Sequence, residues 1–181
     1  MSTETLRISS PAPDFHNLPA TDGEMYSLQD FGEAEVLVVV FSCNHCPYVR
    51  AYEDRMVSLQ REYTSLGVRL VAINSNETEH YPDDDFNGMV ARSKEKQFNF
   101  TYIRDEDQSV ATAYGATHTP EFFVFDKQRK LRYHGKFDDN YQNPSAVKSK
   151  YVRDAIDAII AGKEVPQAET FSIGCTIKWK S

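Results

Sequence analysis

The sequence VLVVVF at residues 36–41 leads directly into SCNHCP at residues 42–47, and this junction decides the fold. An uninterrupted apolar run of this length, rich in β-branched residues, is typical of a strand that is covered on both faces. Gly67 can end the helix that follows, and VRLVAI at residues 68–73 begins a second strand. The stretch therefore predicts a strand–helix–strand unit with parallel strands. The helix is indicated by apolar residues at alternating spacings of three and four, which share one face: Val49, Tyr52, Met56, Leu59, Tyr63 and Leu66.

The rest of the chain continues the alternation of strands and helices, and it predicts an α/β fold with a central mixed sheet. Asp83, Asp84 and Asp85 favour the start of another helix by their charge. We expect a single domain over residues 1–181, with a flexible arm at 1–13 and a tail at 163–181. The further predicted elements are a strand at 100–103, a helix at 108–114 ended by Gly115, an antiparallel hairpin of strands at 122–125 and 131–137, and a helix with Val152, Ile156, Ile159 and Ile160 inward that ends at Gly162.

Composition and charge narrow the possible partners. The 181 residues are 40% hydrophobic, which is enough for one ordinary core. A formal net charge of −7 repels phosphate backbones and anionic lipid headgroups, so we expect neither nucleic acid nor a membrane surface as a partner. The opening MSTETLRISSPAPDF lacks a basic start followed by an apolar run, and residues 36–41 are too few to cross a bilayer. We therefore expect a cytoplasmic protein.

Two of the three cysteines form a C-x-x-C pair, Cys43 and Cys46, at the predicted strand-to-helix junction. Three cysteines in a chain of this length do not make a disulfide framework, so their spacing is more informative than their number. Pro47 fits a helix only in its first turn, which places the helix start at the pair. The helix dipole and free N–H groups stabilise a thiolate there. We expect a redox-active dithiol with Cys43 as the more exposed and more acidic thiol.

This pair predicts thiol–disulfide exchange with protein or small-molecule disulfides and dithiols, a reaction that needs no cofactor and no metal. The Cys43 thiolate attacks a substrate disulfide to form a mixed disulfide, which Cys46 then resolves. His45 as an imidazolium would stabilise the thiolate and make the disulfide a stronger oxidant. The alternative for His45 is a solvent-exposed side chain without influence, because a helix N-terminus also disfavours its protonation.

Several segments resemble the thioredoxin-like superfamily, and more narrowly its redoxin branch, which includes the alkyl hydroperoxide reductase and TlpA-like proteins. The resemblance covers most of the chain, but only the dithiol and the Thr119-Pro120 pair are chemically specific. The chain is similar in particular to uncharacterised cytoplasmic members of this branch, which share C-N-H-C and a tail like SIGCTIKWK at residues 172–180. The segments that carry it are Pro13-Asp14-Phe15, residues 22–28, FSCNHCPYV at 41–49, DEDQSVATAYGATHTPEFFVFD at 105–126 and the hairpin after it.

The resemblance implies a thioredoxin-like fold with helices on both faces of the sheet and an antioxidant role. It also implies that Pro120 is a cis-proline facing the cysteines and that Thr119 pairs with the substrate backbone. This chain departs from thioredoxins in having Ser42 before the first cysteine and no buried aspartate in the preceding strand, so the usual proton acceptor for Cys46 is missing. Glu121 is a candidate replacement, although we favour an exposed carboxylate at a strand start.

Other functions fit the sequence less well. Peroxiredoxins carry P-x-x-x-T/S-x-x-C, but Val36 and Val40 stand at those offsets before Cys43, which disfavours a peroxiredoxin-like thiol peroxidase. A non-catalytic module that binds zinc or copper through the cysteines normally needs two close pairs of ligands. This sequence has one such pair, which disfavours the module. For Cys175 we favour a buried, small apolar side chain. The alternative is a third redox thiol that exchanges with the dithiol.

Overall fold

A five-stranded mixed sheet organises the chain in the computed structural model, which describes residues 4–181. The elements in chain order are β1 (Leu18–Pro19), β2 (Met25–Tyr26), β3 (Val36–Phe41), α1 (Pro47–Tyr63), β4 (Val68–Asn74), α2 (Phe86–Glu95), β5 (Thr101–Arg104), α3 (Ser109–Tyr114), β6 (His118–Thr119), β7 (Glu121–Phe125), β8 (Leu131–Gly135), α4 (Tyr151–Ile160) and β9 (Cys175–Thr176). The central sheet has the order β5-β4-β3-β7-β8. β1 pairs with β2, and β6 pairs with β9.

Strand β3 lies at the centre of the sheet, as the apolar run at residues 36–41 predicts. It pairs in parallel with β4, with Val36 opposite Val68. On its other side it pairs antiparallel with β7, with Phe41 opposite Glu121. All six residues of β3 are buried, because both faces of the sheet are covered. The hairpin of β7 and β8 is antiparallel. The predicted mixed α/β sheet is confirmed.

Helices cover both faces of the sheet, and the alternation of side chains along β3 divides the core between them. Val36, Val38 and Val40 pack in a cluster with residues of α1, α2 and α4. Leu37, Val39 and Phe41 face the opposite cluster, which includes residues of α3. Among residues 4–181, no helix is long and apolar enough to span a membrane.

The helix that follows β3 begins at Pro47, in agreement with the prediction from the proline. A short 3-10 turn continues it to Leu66, and Gly67 ends it with φ of 81°. The periodicity places Leu66 on the shared apolar face of its helix and predicts that Ile160 points inward, but neither residue is buried. Leu66 and Ile160 are 50% and 43% exposed, since each is the last residue of its element and lies beyond the packed face.

Residues 4–13 of the arm predicted at 1–13 make contacts with the rest of the domain, and residues 1–3 lie outside the described residues. The N–H of Ser9 donates to the carbonyl of Leu131 at 2.8 Å, and the N–H of Leu131 donates to Ser10 at 2.9 Å. Leu6 and Ile8 pack against the α3-side cluster. Backbone pairing with β8 and burial of these side chains hold residues 4–13 against the body.

Candidate active site

The two cysteines of the C-x-x-C pair lie where the buried end of β3 passes into α1. Cys46 is the N-cap of α1, and Pro47 occupies the first turn, where a missing N–H has no cost. Cys43 precedes the helix by a short loop. Both cysteines are free thiols and buried, at 3% and 2% exposure. They form a small cluster with buried Val49, against which Cys175 packs.

The Thr119–Pro120 segment faces both thiols. The Sγ atom of Cys43 lies 3.6 Å from the hydroxyl of Thr119. The Sγ atom of Cys46 lies 3.5 Å from the carbonyl oxygen of Thr119. The Thr119–Pro120 peptide bond is cis. The structure thus brings together two pairs of residues that the sequence singles out. The cysteine pair and the Thr119–Pro120 pair are about 75 positions apart in the chain.

Buried Asn44 fixes the loop between the two cysteines. Its backbone N–H donates to Oδ1 of Asp84 at 2.7 Å. Its side-chain amide donates to the carbonyl of Asp83 at 2.7 Å and accepts from the hydroxyl of Tyr102 at 2.7 Å. A buried loop held by charged and amide partners is rigid, because breaking any of these bonds leaves an unsatisfied polar group.

The acidity of the two thiols is the reverse of the sequence-based expectation. Hydrogen bonding with Cys43 and Cys175, and with the backbone N–H groups of Val49 and Cys175, lowers the pKa of Cys46 although burial opposes this. The hydrogen bond to Cys46, burial and the carboxylate of Asp84 raise the pKa of Cys43. The main reason is the hydrogen bond between the two thiols, which favours the thiolate at Cys46 and the thiol at Cys43. Cys46 also occupies the N-cap position of α1, where the backbone N–H of Val49 makes a smaller contribution. Both thiols are buried to nearly the same extent, so the expected exposure of Cys43 is not seen.

His45 lies beside a carboxylate. Its Nδ1 atom is 3.2 Å from Oδ2 of Asp84, and the imidazole is 35% exposed while the carboxylate is fully buried. The ring stacks on Tyr81 with centroids 6.4 Å apart. A proton on His45 would therefore offset the negative charge of Asp84 first, and it would act on Cys43 through that charge.

Asp84 is the buried carboxylate next to the dithiol that sequence reasoning missed. It sits in a 3-10 turn at Pro82–Asp84 and is fully buried. Besides the N–H of Asn44, its oxygens accept from the side-chain amides of Asn74 at 3.3 Å and Asn76 at 2.9 Å. In the sequence it is one of three consecutive aspartates, and that pattern indicates only a helix start. The signal that separates it from its neighbours is the polar run Asn74-Ser75-Asn76 at the end of β4, which supplies its amide partners.

Glu121 is buried, and the expectation of an exposed carboxylate is wrong. It is 1% exposed and accepts from Nε2 of His134 at 2.7 Å. Its other oxygen accepts from the backbone N–H groups of Thr117 and His118, both at 3.0 Å. These bonds hold the chain that precedes Pro120. Its described hydrogen bonds are made to these residues and not to Cys46, so Glu121 positions the Thr119 segment and does not take the place of a proton acceptor.

Cys175 lies against the dithiol, although the sequence favours a merely buried apolar side chain for it. Its Sγ atom is 2.9 Å from Sγ of Cys46, and its side chain is only partly buried. Among residues 4–181, the group of at least three His, Cys, Asp or Glu side chains whose ligand atoms all lie within 4.8 Å of one another is Glu77, Glu79 and His80, of which two are exposed. The cysteines do not belong to this group.

The comparisons with known proteins agree with this architecture. The model of the AhpC/TSA family matches residues 8–134. A hypothetical protein from Sinorhizobium meliloti 1021 is 37% identical, with a TM-score of 0.91 over 98% of this chain and 97% of that chain. An uncharacterized conserved protein from Geobacillus kaustophilus is 39% identical, with a TM-score of 0.91 over 98% of this chain and 94% of that chain.

A more distant solved structure shares the fold. A putative thiol:disulfide interchange protein DsbE from Chlorobium tepidum is 21% identical, with a TM-score of 0.70 over 86% of this chain and 99% of that chain. Among proteins with curated descriptions, no significant match is found.

Proposed function

The chain belongs to the AhpC/TSA family, and from this premise we propose that it is a thiol–disulfide oxidoreductase whose redox centre is the Cys43–Cys46 dithiol. One observation carries the proposal: both thiols lie together at the start of α1 and face the backbone and hydroxyl of Thr119. The thiol:disulfide interchange name of the Chlorobium tepidum neighbour supports it.

The roles of the two thiols in the exchange follow from their acidity. In the disulfide form, a substrate thiolate attacks one of the two sulfurs and expels the other, and a thiol of lower pKa leaves faster. Because the pKa of Cys46 is lowered and that of Cys43 is raised, Cys46 is the leaving thiolate and the substrate becomes attached to Cys43. A second substrate thiolate then attacks the substrate sulfur, which releases the substrate disulfide and leaves Cys43 reduced.

In the reducing direction the same mixed disulfide is resolved by Cys46. Its thiolate attacks Sγ of Cys43, the Cys43–Cys46 disulfide forms, and the substrate leaves as a thiolate. The first attack requires that Cys43 lose its proton to solvent, and the departing substrate thiolate takes up a proton at the end. Because Cys46 is held as a thiolate, its attack on the mixed disulfide needs no separate proton acceptor.

A stabilised thiolate at Cys46 biases the equilibrium towards the reduced form. The hydrogen bonds that lower the pKa of Cys46 exist only with the dithiol, so they favour its formation and make the disulfide more oxidising. We propose these hydrogen bonds, of which the one from Cys43 is the largest contribution, as the main source of an oxidising bias. His45 contributes indirectly, through its contact with Asp84.

The test is to trap the mixed disulfide. In Cys46→Ser the resolving thiol is absent, so a substrate should remain linked to Cys43, and the complex should dissociate on addition of dithiothreitol. The matched control is Cys43→Ser, which should capture at most a tenth as much. Peptide mapping then identifies the linked cysteine. Equal capture by both variants, or capture by neither, would contradict the proposal.

The same preparations separate this function from that of a thiol peroxidase. The positions where a peroxiredoxin carries its proline and hydroxyl residue, Val36 and Val40, are fully buried in β3 and offer no hydrogen bond to a peroxide. We expect hydrogen peroxide to be consumed at least a hundredfold more slowly than a model disulfide is exchanged. A faster peroxide reaction would favour the peroxidase.

A further inference from the structure

The C-terminal segment of the chain occupies the backbone edge beside the dithiol. Strand β9 pairs antiparallel with β6, with Cys175 opposite Thr119 and Thr176 opposite His118. The N–H of Ile177 donates to the carbonyl of Thr117 at 2.9 Å, and Ile177 itself is buried at 3% exposure. The same Thr119 that faces Cys43 and Cys46 therefore has a neighbouring strand supplied by its own chain.

Gly174 permits this close approach. A Cβ atom on Gly174 would lie 2.0 Å from the carbonyl oxygen of Thr119 and 2.7 Å from its carbonyl carbon. No side chain fits at such a distance, so a residue larger than glycine would push the strand away from Thr119. The contact places the backbone of residue 174, and with it the next side chain, against the site.

Bonds beyond β9 hold the segment in register. The N–H of Lys178 donates to Oδ1 of Asn76 at 2.9 Å, and its carbonyl accepts from the N–H of Glu77 at 2.8 Å and the amide of Gln108 at 2.9 Å. The N–H of Lys180 donates to Oε1 of Gln108 at 3.0 Å. Buried Ile177 and these four bonds fix the chain after Thr176, and the pairing of Cys175 with Thr119 fixes it before Thr176. The position of the Cys175 side chain is therefore determined by the backbone.

Cys46 is consequently in contact with two thiols. Its Sγ atom lies 2.9 Å from Sγ of Cys175 and also accepts the hydrogen bond of Cys43. A thiol in contact with one sulfur of a disulfide has the geometry for exchange, since the attacking sulfur must approach the sulfur under attack directly. Burial and the contact with Cys46 raise the pKa of Cys175, which makes its thiolate scarce but strongly nucleophilic.

We propose that Cys175 is a third thiol of the exchange site. It forms a disulfide with Cys46 in place of Cys43. The Cys175 thiolate attacks Sγ of Cys46, the Cys43–Cys46 bond breaks, and a Cys46–Cys175 bond forms. Cys43 leaves as a thiolate and takes up the proton that Cys175 gave up. One disulfide replaces another, so no external oxidant is consumed. The inference rests on the proposed function, which supplies the Cys43–Cys46 disulfide.

The consequence is an oxidised protein with a free Cys43. The Cys46–Cys175 disulfide keeps the two oxidising equivalents that the Cys43–Cys46 disulfide carried, while Cys43, now a free thiol, can attack a further disulfide. The reverse exchange returns the disulfide to Cys43 and Cys46. The C-terminal segment thus acts as a built-in exchange partner of the dithiol.

The first test uses the wild-type protein and needs no variant. The reduced chain is treated with one equivalent of diamide, equilibrated, blocked with N-ethylmaleimide at acidic pH and digested without reductant. We expect the Cys46–Cys175 peptide pair in at least a tenth of the molecules, together with labelled Cys43. A digest with Cys43–Cys46 as the only link, and Cys175 fully labelled, would overturn the proposal.

The second test isolates the contact between the two sulfurs. After oxidation with diamide, Cys43→Ser should form the Cys46–Cys175 link in most molecules. The matched control adds Cys175→Ser and Thr176→Cys to Cys43→Ser, which moves the thiol by one residue onto the exposed face of the strand. That variant should form the link at least tenfold more slowly. Equal rates would overturn the proposal, because a mobile tail would then explain any link.

These outcomes are distinct from a failure of the proposed function. If Cys43 and Cys46 do not exchange with external disulfides, the Cys46→Ser trap captures nothing, while Cys43→Ser still links Cys46 to Cys175. If Cys175 plays no part, the trap works and the second link does not form.

Discussion

Asp84 places a negative charge next to the dithiol, and removing that charge should make Cys43 more reactive. The carboxylate adds to the hydrogen bond with Cys46 and to burial in raising the pKa of Cys43. Asp84→Asn keeps the size of the side chain and removes the charge. We expect Cys43 in this variant to react with iodoacetamide several-fold faster at neutral pH, as measured by mass spectrometry of the peptide that contains it.

The neighbouring Asp83→Asn is the control, because Asp83 is exposed and adjacent in sequence. Its rate should equal that of the wild type. Asp84→Asn also disturbs a buried network and should lower the free energy of unfolding by about 1–3 kcal/mol, so the rates are compared well below the urea midpoint. An unchanged rate in a folded Asp84→Asn protein would show that the charge does not act on Cys43.

Glu121 gives a prediction about pH. Burial alone would raise the pKa of Glu121, but hydrogen bonds from His134 and from the backbone of Thr117 and His118 lower it. A carboxyl whose folded-state pKa is lowered stabilises the protein above its unfolded-state value, near 4.3, and that contribution is lost as the pH falls through the folded-state value. The stability difference between wild type and Glu121→Gln should therefore be largest near neutral pH and shrink below about pH 4.

Urea unfolding of both proteins at a series of pH values measures this difference. Glu164→Gln at an exposed position serves as the control and should give a difference that hardly changes with pH. A Glu121→Gln difference that stays constant down to pH 2 would contradict the role assigned to the buried carboxylate.

At the scale of residues, the sequence predicts the chemistry of the site better than its electrostatics. Cys43, Cys46 and Thr119 are recognisable from spacing and from the Thr-Pro pair, and they meet in the structure. Asp84 and Cys175 reach the site from other parts of the chain, and the sequence next to them does not show that they meet the dithiol. The acidity of the thiols depends on those long-range contacts, so it could not be predicted.

At the scale of elements, the start of α1 is predictable, but the acidity of the thiols beside it is not. Pro47 correctly predicts the beginning of the helix. The N-cap position belongs to the residue directly before it, which is Cys46, and the backbone N–H of Val49 helps to lower the pKa of Cys46. The larger cause is the hydrogen bond between the two thiols, which lowers the pKa of Cys46 and raises that of Cys43.

The close approach of β9 to β6 predicts the effect of one added methyl group. Gly174→Ala would place a Cβ atom 2.0 Å from the carbonyl oxygen of Thr119, so β9 must move away. We expect Cys46 and Cys175 in the reduced variant to react with N-ethylmaleimide at least tenfold faster than in the wild type. We also expect the Cys46–Cys175 link to be reduced in yield.

Gly162→Ala is the matched control for Gly174→Ala. Gly162 has a positive φ of 69°, and an added Cβ meets no atom within 4 Å. The substitution costs about 1 kcal/mol of backbone strain but leaves β9 in place. Fast labelling in both variants would mean that general destabilisation, and not displacement of β9, exposes the thiols.

At the scale of the whole molecule, the two possible disulfides close very different loops. In the chain-entropy relation, a link from Cys46 to Cys175 closes about 130 residues and stabilises by about 5 kcal/mol, whereas Cys43–Cys46 closes four residues and gives about 2 kcal/mol. Oxidation should therefore stabilise Cys43→Ser more than Cys175→Ser, by about 3 kcal/mol.

Urea unfolding of each variant, oxidised and reduced, measures the two gains. Using both variants in both states removes the cost of the substitutions themselves, since each gain is a difference within one variant. A smaller gain for Cys43→Ser than for Cys175→Ser would show that the long link strains the native fold.

The whole-molecule arrangement is predictable where contacts are local and not where they are distant. The strand–helix–strand unit of β3, α1 and β4 follows from hydrophobic periodicity over neighbouring residues. The pairing of residues 4–13 with β8, and of β9 with β6, joins segments far apart in sequence. Both segments are polar enough to resemble free ends, and only tertiary hydrogen bonds reveal that they are bound.

The pairing of β9 with β6 also sets a condition for any external partner. A segment joined covalently to the site is present there at an effective concentration on the order of millimolar, however dilute the protein is. A partner at micromolar concentration that needs the edge of Thr119 must therefore bind roughly a thousandfold more tightly than the tethered strand to displace half of it. Partners that reach Cys43 without binding at that edge do not compete with β9. The strand should therefore favour substrates that dock elsewhere.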